Sequence, residues 1–217
     1  LVYKKAIEYY NKGDYQRAMN LLDGVRSVFV GQAKAQNIAY YRAFCSYNMK
    51  DYQIASDLFK QFIQTYPESS FAEECLYMMG FCDYKASPKP RLDQQVTEKA
   101  IREFQLYLSR YPYSMRKDKV NTYMDEMRDK LSYKAYLSAK NYYLREHYKA
   151  AVISLQNCLK DYPGSKYREE IMYMLFVSKY QMAVNSVEDK KVERYNNARE
   201  EYYYFADEYP NSRYAAD

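Results

Sequence analysis

The chain is poor in the residue types that build catalytic centres. Its 217 residues include one histidine, His147, no tryptophan, five glycines and six prolines. His147 lies in the turn Arg145-Glu146-His147-Tyr148, where a solvated side chain is far more common than a catalytic one. Few glycines and prolines, with no strand-like alternation, favour a single elongated helical core.

Cysteine is also scarce and is not spaced to bind a metal. Cys45, Cys75, Cys82 and Cys158 form no close pair of the kind found in zinc sites. On a helix, Cys75 and Cys82 would lie roughly 10 Å apart, which is too far for a disulfide. We expect four free, buried thiols and neither a metal nor a cofactor.

The chain has no run of one charge and no long apolar run. Its net charge of +5 is spread over both signs, without the basic stretch that follows a nucleic acid backbone. We therefore expect no nucleic acid partner. Its apolar runs are far shorter than the ~20 residues that span a bilayer, which predicts a soluble chain.

Three pairs of neighbouring acids are the remaining candidates for catalysis: Glu73-Glu74, Glu169-Glu170 and Glu200-Glu201. Adjacent residues on a helix point in different directions, and no pair converges with a nucleophile. We expect these acids to form a solvated charged face. The sequence thus predicts no catalytic residues and a protein that is not an enzyme.

The chain contains a repeat. Five times an alanine precedes a helix-stop position by twelve residues: Ala18 to Val30, Ala55 to Pro67, Ala100 to Pro112, Ala151 to Pro163 and Ala198 to Pro210. The last four stops read Tyr-Pro-x-Ser, beginning at Tyr66, Tyr111, Tyr162 and Tyr209. Proline ends one helix, and the serine is expected to cap the next.

A second small residue stands twelve positions before three of these alanines, at Ala6, Ala43 and Ala139. This spacing resembles the tetratricopeptide repeat, in which antiparallel helix pairs stack into a superhelix. We therefore predict an all-α tetratricopeptide-repeat superhelix of five helix pairs.

Three segments depart from the period. Residues 85–95 form a proline-containing loop in the third repeat, and residues 185–191 form a similar extension in the fifth. Between Ser114 and Leu144 the chain has fourteen extra residues, which predict one long helix linking repeats 3 and 4. We expect an N-terminal region, 1–113, and a C-terminal region, 114–217.

Tyrosine is abundant, with 30 residues, and ten of them occupy two positions on the first helix of each repeat. The ten are Tyr3, Tyr10, Tyr40, Tyr47, Tyr77, Tyr84, Tyr136, Tyr143, Tyr173 and Tyr180. Members of a pair are seven residues apart, so they project from one face of the helix. Phe44 and Phe81 lie between two of the pairs, whereas Lys140 takes that place in repeat 4.

These rings predict an aromatic groove on the concave face that binds a peptide. The candidate peptide-binding residues are Tyr40, Phe44, Tyr47, Tyr77, Phe81 and Tyr84. The alternative is that the rings cement neighbouring helices. If the rings are exposed, Tyr40→Ala with Tyr77→Ala should weaken peptide binding and cost less than ~1 kcal/mol of stability.

The chain also resembles one family in particular, the BamD lipoproteins of the outer-membrane barrel-assembly machinery, most closely those of Bacteroidetes. The resemblance rests on the loop Ser87-Pro88-Lys89-Pro90-Arg91-Leu92-Asp93-Gln94, on Arg128-Asp129-Lys130-Leu131 and Ser138-Ala139-Lys140-Asn141-Tyr142-Tyr143 of the long helix, and on Asp161-Tyr162-Pro163. It extends over essentially the full chain.

The resemblance implies a scaffold at the periplasmic face of the outer membrane, held by a lipidated cysteine upstream of Leu1. In the family, the C-terminal repeats bind the POTRA region of the barrel subunit BamA. The N-terminal repeats hold terminal segments of unfolded outer-membrane proteins. Residues that contact BamA are not assigned from this sequence.

Two other functions remain open at this point. The chain is an adaptor that recruits other subunits without touching client chains, or a periplasmic repeat protein that coordinates cell-wall growth during division. The division proteins share the Tyr-Pro-x-Ser stops but are not expected to share the loop from Ser87 to Gln94.

Overall fold

A computed structural model describes residues 1–214, and throughout that range the regular structure is helical. Besides a 3-10 helix at Arg26–Phe29, the α-helices are α1 Val2–Asn11, α2 Tyr15–Val25, α3 Lys34–Asn48, α4 Tyr52–Thr65, α5 Ala72–Ala86, α6 Gln95–Arg110, α7 Lys117–Leu144, α8 Tyr148–Asp161, α9 Arg168–Val184 and α10 Glu188–Glu208. Consecutive helices pack as pairs, and each pair packs on the next within its part of the chain. The predicted all-α fold of tetratricopeptide helix pairs is confirmed.

The turns inside three repeats share one backbone conformation. Gly13, Lys50 and Glu146 have φ values of 81°, 67° and 58°, so each adopts the left-handed conformation that ends a helix. The residue after each, Asp14, Asp51 or His147, bonds through its N–H to a carbonyl five residues back. Only the first of the three turns uses glycine, the residue for which this conformation has no steric cost.

The stop segments also repeat one hydrogen-bond pattern, which corrects the expected role of their serines. The hydroxyls of Ser69, Ser114, Ser165 and Ser212 each accept the backbone N–H two residues on. Phe71 and Tyr167, the N-cap residues of α5 and α9, make no side-chain cap. The serines therefore fix the turn that leads into the helix and leave the helix N–H groups uncapped.

The helices form two compact units, residues 1–127 and 128–217. In the first unit, one core surrounds Leu22 and Ile38, and a larger one surrounds Phe59, Phe62 and Phe104. In the second, a core forms around residues including Leu155, Ile171 and Leu175. The domain division at 113/114 stays a prediction, since the compact units divide within α7.

The long helix is present as predicted. Helix α7 has 28 residues, with Val120, Met124 and Met127 buried along one stripe. The third repeat has its loop between Ala86 and Gln95. In the fifth repeat, we expected a similar loop over residues 185–191. That prediction is wrong beyond Val187, because α10 begins at Glu188.

The loop between α5 and α6 is held by a buried glutamine. The Gln94 Nε2 donates to the carbonyl oxygens of Lys89 and Leu92, at 2.8 and 3.1 Å. The Thr97 hydroxyl donates to Gln94 Oε1 at 2.7 Å and lies 2.5 Å from the Ser87 hydroxyl. The loop is therefore an ordered part of the third repeat.

The four cysteines are free and buried, as expected. Burial is the main reason that the pKa of each thiol is raised. Such thiols are packing residues at neutral pH. Among residues 1–214, no helix combines the length and the apolar character that crossing a membrane requires.

Candidate functional site

The six aromatic residues predicted from the sequence come together in the first unit. Tyr40, Phe44 and Tyr47 lie on α3, and Tyr77, Phe81 and Tyr84 lie on α5. Ring centroids are 4.6 Å apart for Tyr40–Phe44, 6.3 Å for Phe44–Tyr47, 6.2 Å for Tyr47–Phe81, 5.7 Å for Tyr77–Phe81 and 5.9 Å for Phe81–Tyr84. We call these six residues the aromatic surface. It is one continuous set of rings across two repeats.

Tyr77 differs from the other five because it is only 8% exposed. Its ring lies 5.8 Å from that of Tyr107, and the Arg116 guanidinium covers it at 5.0 Å from the centroid. The small stability cost expected for Tyr40→Ala with Tyr77→Ala required exposed rings, and the Tyr77 ring is not exposed. Tyr77 packs beneath the surface formed by the other five, which are half-buried.

Two aromatic residues that were not singled out in the sequence extend this surface. Tyr123 of α7 stacks on Tyr84 at 4.5 Å and lies 5.4 Å from Phe81. Phe71 lies 4.6 Å from Tyr40. Tyr123 lies three residues after Val120 and four before Met127, so helical spacing sets it beside the buried stripe, and that spacing was the available signal.

The outer tyrosines of the surface use their hydroxyls within the fold. The Tyr40 hydroxyl donates to Glu74 Oε2 at 2.8 Å, and the Tyr84 hydroxyl donates to Glu126. The pKa of Tyr40 is raised, by burial first and then by its bond to Glu74. The bond to Glu126 is the main cause that raises the pKa of Tyr84 to about 12. Both phenols are therefore neutral donors at physiological pH.

Tyr47 is different, because its hydroxyl bonds to none of the described residues. It lies between Phe44 and Phe81, and burial is the main cause of its raised pKa. The centre of the surface thus offers two apolar rings and one hydroxyl that a ligand can bind.

Five of the six paired acids bond within the fold, so the expected solvated charged face is wrong for all of them except the exposed Glu200. Glu73 accepts hydrogen bonds from the hydroxyls of Tyr107 and Ser114, at 3.0 and 2.7 Å, while Glu74 binds Tyr40. In the second pair, Ser212 donates to Glu169 and Tyr136 donates to Glu170. In the third pair, Lys179 donates to Glu201, while Glu200 is exposed. The acids therefore join neighbouring helices through hydroxyl and ammonium donors.

The corresponding site in repeat 4 is polar. Lys140 occupies the position of Phe44 and Phe81, and its Nζ donates to Glu170 Oε1 at 2.7 Å and to the Tyr136 hydroxyl at 2.9 Å. The Tyr136 hydroxyl donates to Glu170 Oε2 at 2.8 Å. These contacts raise the pKa of Lys140. The charge of Lys140 is thus used inside the second unit.

The first unit also contains a buried ionic cluster between α4, α5 and α6. Lys99 Nζ lies 2.9 Å from Asp83 Oδ2 and 3.7 Å from Glu103 Oε1, and Ser56 donates to Asp83 at 3.0 Å. Glu103 Oε2 is buried without a donor. Burial, together with the neighbouring Asp83, raises the pKa of Glu103 to about 8. Glu103 therefore keeps its proton to a higher pH than an exposed glutamate does.

One protein family matches the chain. Residues 1–170 and 135–217 match the YfiO family, described as outer membrane lipoprotein. The chain belongs to this family. The match spans the whole sequence and confirms the resemblance to the BamD lipoproteins.

Two solved structures are similar to the chain over most of its length. The chain is similar to yeast Sti1, in a structure described as a TPR2AB-domain:pHSP90-complex, with 13% identity and a TM-score of 0.46 over 92% of this chain and 76% of that one. It is also similar to the human IFIT1 dimer with PPP-AAAA, with 15% identity and a TM-score of 0.31 over 94% of this chain and 51% of that one. No curated protein matches the chain.

Proposed function

We propose that this YfiO family member is a scaffold of outer-membrane β-barrel assembly that binds the barrel-forming subunit and the C-terminal segments of unfolded client proteins. The continuous aromatic surface on α3 and α5, in a chain that matches the family over its full length, is the observation that carries this proposal. No catalytic step is part of it.

The client segment would lie across Phe44, Tyr47 and Phe81. Their rings are half-buried and contact one another, so the fold holds them ready for a ligand. Rings that are already ordered lose little side-chain entropy when a peptide covers them. Phe44 and Phe81 would contact apolar side chains, while the Tyr47 hydroxyl would bond to the peptide backbone. Tyr40 and Tyr84 would border the bound segment.

The second partner is a BamA-like barrel subunit, bound through its POTRA region. One chain that binds both a client segment and the barrel subunit raises the effective concentration of the client at the place of folding. We place the protein at the periplasmic face of the outer membrane, held by a lipid, because its family is described as outer membrane lipoprotein.

Calorimetric titration with the POTRA region of BamA from the same organism tests this function. Binding at micromolar affinity or better, about 8 kcal/mol or more, is the expected result. Absence of both heat and co-elution would remove the assembly role and leave a tetratricopeptide binding module.

A second function is an adaptor for cell-envelope or division proteins that never binds client chains. The burial of Tyr77 and the use of the Tyr40 and Tyr84 hydroxyls inside the fold favour it, because these groups stabilise helix packing. The two functions differ in one result. A scaffold binds peptides from client C-termini through Phe44 and Phe81, whereas an adaptor does not bind them.

A further inference from the structure

The corner between α6 and α7 exposes two large side chains that have no counterpart at the other Tyr-Pro-x-Ser stops. Tyr113 and Met115, on either side of Ser114, are 98% and 102% exposed. The equivalent pairs are Glu68 with Ser70, Gly164 with Lys166 and Asn211 with Arg213. Among the four Tyr-Pro-x-Ser stops, only the one that begins at Tyr111 places apolar surface at both positions.

The fold holds this corner in a fixed conformation. The Ser114 hydroxyl donates to Glu73 at 2.7 Å, lies 2.6 Å from the Tyr107 hydroxyl and accepts the N–H of Arg116 at 3.2 Å. Its backbone N–H bonds to the carbonyl of Tyr111. Ser114 is thus anchored on both sides, so the neighbouring Tyr113 and Met115 are directed outward.

Four basic residues lie close in sequence to the two exposed side chains. Arg110, Arg116, Lys117 and Lys119 lie within ten residues that contain one acid, Asp118. The Arg110 guanidinium donates to the Pro67 carbonyl, and the Arg116 guanidinium covers the Tyr77 ring. The ammonium groups of Lys117 and Lys119, which are exposed residues, are the charges open to a ligand. The corner therefore combines an apolar tip with a positive border.

We propose that this corner, Arg110–Lys119, is a contact site for an anionic lipid surface. Tyr113 and Met115 enter the boundary between headgroups and acyl chains, and the exposed Lys117 and Lys119 bind lipid phosphates. A protein partner fits less well, because a stable protein interface buries about 1,000 Å² or more and this apolar tip consists of two side chains. Because the family is described as outer membrane lipoprotein, we expect a lipid surface near the protein.

Sedimentation of the protein with lipid vesicles tests the proposal. We expect binding to vesicles of phosphatidylethanolamine and phosphatidylglycerol that weakens with added salt, and weaker binding to phosphatidylcholine. The double variant Tyr113→Ser/Met115→Ser should lower the partition coefficient about tenfold or more, because its apolar tip is lost. Lys117→Gln should reduce the salt dependence.

A matched control uses two exposed apolar residues elsewhere. Leu144 and Val192 are 67% and 72% exposed, and Leu144→Ser/Val192→Ser should bind as the wild type does. Circular dichroism should show all variants folded, since the substituted side chains are exposed. Equal binding to anionic and neutral vesicles, or unchanged binding by the Tyr113/Met115 variant, would overturn the proposal.

Discussion

Repeats 2 and 3 differ from repeat 4 mainly at the residue that follows the small position of the first helix. Phe44 follows Ala43 and Phe81 follows Gly80, whereas Lys140 follows Ala139. In the first unit this residue joins a set of contacting rings, and in the second it binds Glu170 and Tyr136. One substitution at a repeated position thus changes an aromatic surface into a polar one.

The tyrosine three residues before the small position is used alike in both units. Tyr40 donates to Glu74 and Tyr136 donates to Glu170, each across 34 residues and at 2.8 Å. This bond joins one repeat to the first turn of the next. Different positions of the same helix therefore determine the stacking of the repeats and the chemistry of the surface.

The largest expected effect concerns the ionic cluster of Asp83, Lys99 and Glu103. The folded-state pKa of Glu103 is about 8, against about 4.3 in an unfolded chain, so folding retains a proton. The stability that this proton contributes is fully present below about pH 4 and is lost as the pH rises through about 8. As the pH rises, the free energy of unfolding of the wild type should fall by up to about 1.4 kcal/mol per pH unit. In Glu103→Gln this fall should be absent.

Urea unfolding of the wild type and Glu103→Gln between about pH 5 and about pH 8 measures this difference. Glu98→Gln, an exposed position on the same helix, is the control and should follow the wild type. A wild-type profile as flat as that of Glu103→Gln would show that Glu103 is ionised in the folded protein.

A smaller and equal effect is expected when the shared tyrosine bond is removed from each unit. Tyr40→Phe and Tyr136→Phe each delete one hydroxyl that donates to a carboxylate, at a cost of about 1–2 kcal/mol, because both sites are partly open to water. Chemical denaturation should show both losses. If Tyr136→Phe alone destabilises the protein, this bond stabilises the stacking of repeats in the second unit but not in the first.

The smallest effect concerns the turns inside the repeats. Lys50 and Glu146 adopt positive φ, where a side chain costs roughly 1 kcal/mol that glycine avoids. Lys50→Gly and Glu146→Gly should therefore each raise the midpoint of thermal unfolding by a few degrees. A lowered midpoint in either variant would mean that the side chain contributes more than its backbone strain costs.

The repeats and their boundaries were predictable because they depend on local residues. Alanine spacing and proline stops indicated the helices, and the fourteen extra residues between Ser114 and Leu144 indicated the long α7. The aromatic surface was also predictable, since residues seven apart share one face of a helix.

The uses of the acids and the burial of Tyr77 were not predictable in the same way. They depend on contacts between residues far apart in the chain, such as Tyr107 with Glu73 and Tyr40 with Glu74. Tyr77 is covered by Tyr107 and Arg116, which come to it through the α5–α6 loop and the start of α7. Helical periodicity contains no information about these partners.

The most direct test of the account is peptide binding by variants that exchange the distinguishing residue. A labelled peptide from the C-terminus of a client outer-membrane protein is titrated with the wild type, with Phe44→Lys/Phe81→Lys and with Lys140→Ala. We predict at least about tenfold weaker binding by the first variant, because it loses two ring contacts, and unchanged binding by the second. Equal affinity for the wild type and Phe44→Lys/Phe81→Lys would contradict the assignment of the aromatic surface to client binding.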